Sequence, residues 1–393
     1  MKAMITSIAA ALAIASLASA TEHIVRPGED WSNLGPKLRP GDRVLLAPGA
    51  HIPAAFERVS GSADKPIVIR PVEDGVLAEI EPKREALKLT DCAHIRIERL
   101  SIKNARRAGI IIEATRQGAS RDISISDVLV SGVGGLAEQS GIVIRGASEV
   151  GVRRSRLENC VGAALRIEHA EKITVEECQF FAQAGKPTQS GVAIEGVSSD
   201  IAVRRAFLRG PIETGVSIGF ENPVFQTDAA EPARGTSASR KNDGAPPLVR
   251  RVDIIECRFK DVIRPLRFGS AEAAVVRQCT FLEPREEVYL LTVPPASFAA
   301  VEARFLDNLT VWAPGSLRRL CHAEPNAKPA GLKLGANLWW SKELPAALPS
   351  LGNADNPFLG TIETPQTLDR DPQMDDKGYP TAAEAMTFGA PRP

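Results

Sequence analysis

Apolar residues recur along this chain in short alternating runs, and the runs themselves recur. "EKITVEECQF" at 171–180 is answered by "VDIIECRF" at 252–259 and "AVVRQCTF" at 274–281. The shared frame is apolar-x-apolar-x-x-Cys-x-apolar. It places Leu100, Val128, Ser155, Cys178, Ala206, Cys257, Cys279 and Ala303 in register, with steps of 28, 27, 23, 28, 51, 22 and 24 residues. The 51-residue step reads as one coil carrying an insertion. Two positions further on stand Ile102, Val130, Leu157, Phe180, Leu208, Phe259, Phe281 and Phe305. A second frame, Gly-apolar-x-apolar, lies between the anchors: "GIIIE" at 109, "GIVIR" at 141, "ALRIE" at 164, "GVAIE" at 191, "GVSIG" at 215 and "PLRFG" at 265.

Repeats of this length mark a solenoid. Each unit has room for three short period-2 strands and none for a helix. The expected fold is therefore all-β, a parallel β-helix in which equivalent residues stack about 4.8 Å apart. The anchor column faces inward, where cysteine packs as a small hydrophobe. An in-register Cys257–Cys279 disulfide is disfavoured, because its preferred Cβ separation is about 3.8 Å. The pairing of Cys92, Cys160 and Cys321 is not legible.

The chain ends need covers, since open coils expose strand edges. "EDWSNLGPKLRPGD" suggests an N-terminal cap, with Asp30 capping a short helix over 31–38. Residues 1–20 read as a secretory signal: Lys2, an apolar stretch, then Ala18-Ser19-Ala20. The expected layout is 1–20 signal peptide, 21–314 β-helix with cap, and 315–393 an irregular C-terminal capping tail closed by "NLWW" at 337–340. The expected location is secreted or periplasmic, without a membrane span.

Loops at 131–140 and 182–190, and the insertion at 220–247, flank the Gly-apolar-x-apolar sheet on both sides, making it the floor of a groove. Its outward positions form two columns. One holds Lys88, Ile111, Val143, Arg166, Ala193, Ser217, Arg267 and Tyr289; the other holds Thr90, Glu113, Arg145, Glu168, Glu195, Gly219, Gly269 and Leu291. Glu168 and Glu195 on adjacent rungs could hold calcium, or act as nucleophile and acid. Arg145, Arg166 and Tyr289 are the candidate substrate contacts. The competing reading is a ladder of alternating charges with no ligand. The opposite sheet alternates just as well, through Glu98, Ser126, Arg153, Glu176 and Arg204.

Equal numbers of acidic and basic residues (48 each) leave no net field to attract nucleic acid. No Cys/His spacing suits zinc. A monomer is expected.

"LRPGDRVLLAPGAHI" and "SGSADKPIVIRPVEDGVLAEI" resemble the opening of the secreted right-handed β-helix polysaccharide lyases, the alginate lyase and chondroitinase B group within the pectin-lyase-like superfamily. The resemblance spans residues 36–115, with a further likeness at "DPQMDDKGYPTAAEAMTFGA". It implies a single-stranded right-handed coil, an acidic polysaccharide as partner, β-elimination and calcium. It also implies a catalytic arginine, matched by Arg267 in "PLRFG", where Phe268 replaces the family's histidine. The family's lysine base has no match on the strands, and Ser217 stands one coil before Arg267. Lys241 in the insertion is the lysine candidate. The alternative is a non-catalytic carbohydrate-binding or surface structural protein on the same scaffold.

Overall fold

The computed structural model describes residues 20–115, 118–136, 139–220, 249–292, 302–313, 316–317, 319–324, 331–341, 352–353, 356–357, 361–362, 366–368 and 371–392. Nearly all of the expected signal segment, and all of the 220–247 insertion except Phe220, with Lys241, lie outside these residues.

Among them, three long sheets of 13, 12 and 10 strands run the length of the coil. Every rung pairs parallel to the next. In one coil Glu171–Glu176 lies in the first sheet, Gln179–Phe181 in the second and Thr188–Glu195 in the third. The third sheet is the expected groove floor. This is a parallel β-helix.

The short corner between the first two sheets explains the recurring cysteine. The residue before each anchor takes a left-handed conformation, as at Arg154, Glu177, Glu256, Gln278 and Asp307. That turn drives the anchor side chain inward beside backbone carbonyls. The anchors that can donate do so. Ser155 Oγ donates to Arg153 O at 2.8 Å, and the Cys178, Cys257 and Cys279 thiols reach the carbonyls of residues 176, 255 and 277 at 3.4–3.5 Å. A small, buried donor fits this column, and cysteine supplies it at little desolvation cost. All six cysteines are free and buried. Burial pushes the Cys178 thiol up to about 12.

The glycine that opens each floor strand has an equally local cause. A Cβ at Gly141, Gly191 or Gly215 would lie 2.5–2.7 Å from a backbone oxygen of the next coil. The strands approach too closely there for a side chain.

Two register expectations are corrected. The next rung after Cys279 is not Ala303 but Asn308, since Thr280 pairs with Leu309, while Ala303 and Phe305 belong to the first sheet. Asn308 and Asn337 extend the column as a hydrogen-bonded pair, Nδ2 to Oδ1 at 2.8 Å. The coil also continues past residue 314. Arg319–Ala323, Gly331–Leu334 and Leu338–Ser341 add strands to the three sheets, so the tail begins later than its Pro-rich composition suggested.

The N-terminal cap is a single 3-10 helix, Ser32–Lys37. Asp30 accepts the Ser32 N–H at 3.1 Å, and the buried Trp31 packs edge-on against Phe56. At the other end Trp339 closes the interior. Trp340 faces outward into a second apolar cluster with Leu282, Leu309 and Leu368. The tail packs along the second sheet there, with Ala390 N bonded to Thr280 Oγ1 at 2.8 Å.

Cys257→Asp should lower unfolding free energy by about 3–5 kcal/mol in a urea titration, because a buried carboxylate would find no cationic partner. Cys257→Ser keeps the donor and should cost much less. Equal stability of the Cys257→Asp variant and wild type would place this column at the surface.

Candidate functional site

The floor sheet divides into two regions by how its charges are matched. Its register runs Lys88, Ile111, Val143, Arg166, Ala193, Ser217, Arg267. The next member is Leu290, not Tyr289. Tyr289 pairs with Leu266 and points inward, fully buried, its ring centroid 4.0 Å from that of Phe305. It cannot touch a ligand in the groove. Leu291 is inward as well. "EVYLL" is apolar at every position but its first, so periodicity could not set its register.

The first region is a buried quartet. Arg145 Nε donates to Glu168 Oε2 at 2.6 Å, and Arg166 Nη1 to Glu195 Oε2 at 2.8 Å. Arg166 Nη1 also lies 3.7 Å from Glu168 Oε1, and its Nε donates to Ser140 Oγ at 3.0 Å. Arg166 and Glu168 are only 4% and 3% exposed. This arrangement bears on two expectations. Arg145 and Arg166 are engaged by protein carboxylates rather than held open for a glycan. The carboxylates Glu168 and Glu195 carry guanidinium partners, whose positive charge opposes a cation between them. Among the described residues no cluster of three or more His, Cys, Asp or Glu offers a metal site. The pair therefore does not fit calcium. The charges do not strictly alternate along the rungs, since Glu168 and Glu195 are register partners and Arg166 of the neighbouring column reaches both.

Burial pushes the Glu195 carboxyl up to about 7, with the neighbouring Glu168 charge adding to the shift and Arg166 opposing it.

The second region lies two rungs beyond Glu195. Arg264 bridges Glu213, Glu286 and Glu287, and Arg319 reaches Glu287 at 3.8 Å. Arg319 Nη1 donates to His322 Nδ1 at 2.8 Å, and His322 stands outward in the Arg267–Leu290 column. Sequence reasoning missed His322 because "LCHA" carries no glycine signal; its alternation of buried Cys321 and Ala323 around an outward residue was the available clue.

Arg267 sits where expected, outward between the buried Leu266 and Phe268. Its guanidinium packs over the Phe220 ring, 4.2 Å from the centroid. Among the described residues it makes no hydrogen bond or ion pair, and its Nε is buried without a partner. Burial pulls its pKa down, against the weaker pull of Glu324 and Glu213.

A depression of about 460 Å³ lies on the first sheet instead, lined by Arg96, Ser124, Gly151, Arg153 and Lys172 among others. Its cations are already matched: Arg96 to Asp122 at 2.9 Å, Lys172 to Glu149 at 3.1 Å and Arg153 to Glu176 at 3.5 Å. We weigh charge state above concavity and place the candidate site at Arg267.

A family profile described as the right handed beta helix region matches residues 78–219. Among solved structures, pectate lyase Pel9A aligns over 88% of this chain and 80% of its own, at 9% identity and a TM-score of 0.54. The catalytic unit of a GH87 alpha-1,3-glucanase from Streptomyces thermodiastaticus aligns over 92% and 71%, at 12% identity and a TM-score of 0.54. An alginate lyase from Paenibacillus sp. FPU-7 aligns over 88% and 98%, at 12% identity and a TM-score of 0.47. No curated protein matches the sequence. The chain thus has a right-handed parallel β-helix fold. Similarity at this level defines the scaffold and leaves the chemistry to the site.

Glu195 is more readily protonated folded than unfolded. Its protonated form therefore favours the folded state fully below about pH 4.5, and this contribution is lost as pH rises through about 7. Glu195→Gln mimics the protonated acid. Relative to wild type, the variant should gain roughly 3 kcal/mol of stability between those limits, as about 1.4 kcal/mol accompanies each unit. Parallel stability–pH curves for the two proteins would contradict the assignment.

Proposed function

We propose that this protein binds an acidic polysaccharide along its floor sheet, with Arg267 gripping a sugar carboxylate. The observation that carries the reading is the unmatched guanidinium of Arg267. A half-buried cation with an unsatisfied donor has lost hydration and gained no counter-charge, so an anion docking there recovers both. The planar fork of arginine suits a carboxylate in particular. The pectate lyase and the glucanase that share the fold are named for polysaccharides, which supports the substrate class. The leader-like start supports work outside the cytoplasm, and among the described residues no helix is long and apolar enough to cross a membrane.

A second reading, cleavage by β-elimination, rests on the place of Arg267 in the lyase-like "PLRFG" run. There the arginine would stand at the leaving oxygen while Lys241 takes the C5 proton. This reading routes no step through calcium at Glu168 and Glu195, whose counter-charges are arginines.

The test is a panel of polyuronates and sulfated glycans, followed by calorimetry and by absorbance at about 235 nm, where the unsaturated uronate product of an elimination absorbs. Binding with Arg267→Ala weakened at least tenfold supports the site, since truncating a charge partner typically costs about 2–5 kcal/mol. Absorbance growth assigns a lyase, and binding without it a non-catalytic module. An Arg267→Ala protein that binds as well as wild type would overturn the site.

A further inference from the structure

Phe220 occupies a floor position that the repeat does not give it. The ladder shifts between Ile194 and Glu195, so that Glu195 pairs with Phe220 rather than Gly219. Gly219 makes the shift possible. Its φ of +81° is a left-handed conformation, and a Cβ there would lie 2.3 Å from Ser270 O. The ring then lies across the next coil. A Cβ at Gly269 would stand 3.1 Å from Phe220 Cε1. One face of the ring carries the Arg267 guanidinium. Phe220 is thus interposed between the buried quartet and the unmatched arginine.

We propose that Phe220 is a positioning residue, whose ring holds Arg267 away from Glu195 and keeps the guanidinium available for a ligand carboxylate. This rests on the reading of Arg267 as the anion site. Arg267 and Glu195 stand two rungs apart, about 10 Å along the coil axis, a gap two long side chains can close. The attraction is real, because Glu195 shares its guanidinium: Arg166 Nη1 lies 2.8 Å from Glu195 and 3.7 Å from Glu168. Arg145 is spent on Glu168. His169, at the corner before the next coil, turns its Nδ1 to accept Val197 N at 3.2 Å. The Phe220 strand adds Glu213, which Arg264 holds at 3.5 Å, and Glu324 is the other anion felt by Arg267. No described cation other than Arg267 remains for Glu195. Without the ring, Arg267 is free to close on it, and a charge pair in a half-buried groove gains more than in water. The site would then neutralise itself.

Titration of the Glu195 side-chain carboxyl by carbon-13 NMR tests this, with Glu195→Gln identifying the resonance. Wild type should titrate near pH 7. Phe220→Ala should lower the midpoint by at least one unit, and Phe220→Ala with Arg267→Gln should restore it. Phe220→Leu, which keeps an apolar group over Gly269, should hold the wild-type midpoint. Phe220→Val is measured beside the alanine variant as a milder cut and should move the same way. An unmoved midpoint in the alanine and valine proteins, or one that stays low without Arg267, overturns the role of Phe220. The titration uses no glycan. A polyuronate panel without binding would instead overturn the acidic-glycan reading, so the two failures are distinguishable.

Discussion

Stacking of equivalent residues on parallel rungs about 4.8 Å apart constrains everything else in this protein. A residue type placed inward meets its own copies above and below, so each column must be filled by groups that tolerate self-contact. Isoleucine and valine do this along the first sheet, and phenylalanine along the second, where Phe259 and Phe281 stack with ring centroids 5.1 Å apart. Small donors do it at the corner, where cysteine, serine and asparagine bond the carbonyls that the left-handed turn exposes. Glycine does it where the next coil's backbone leaves no room for a Cβ.

The same constraint acts on the outer faces with the opposite effect. Like charges on adjacent rungs repel, so outward columns alternate in sign and neutralise one another. The first sheet illustrates the completed case, with Arg96, Lys172 and Arg251 each matched to an acid one rung away. The quartet of Arg145, Glu168, Arg166 and Glu195 is a buried variant in which Glu168 and Glu195 face each other and are bridged by Arg166. Function on such a scaffold is therefore sought where the pairing fails. On the floor sheet Arg267 is such a place: Ser217 stands below it and Leu290 above it, and neither can supply a counter-charge.

Periodicity made the fold legible. The Cys178, Cys257 and Cys279 column, the short corner after the first sheet, and the floor register from Lys88 to Arg267 all read directly from spacing. Reading failed where spacing carried no information. "EVYLL" offers no alternation, which misplaced Tyr289. The long connection after Leu282 and the change from cysteine to asparagine hid Asn308 behind Ala303. The partners of Arg166 could not be read either, because sequence gives the rung but not whether a neighbouring carboxylate turns toward it. Phe220 was invisible for a stronger reason. A shifted rung moves a side chain without altering any repeat, and only Gly219 hints at the irregularity.

The central claim is that the unmatched Arg267 defines the ligand site. The most direct measurement is a crystal structure of the protein with a bound polyuronate oligosaccharide. The account predicts a sugar carboxylate within hydrogen-bonding distance of the Arg267 guanidinium, with the chain of sugars crossing the floor sheet. An oligosaccharide seated on the first sheet over Ser124 and Gly151, with Arg267 untouched, would contradict it.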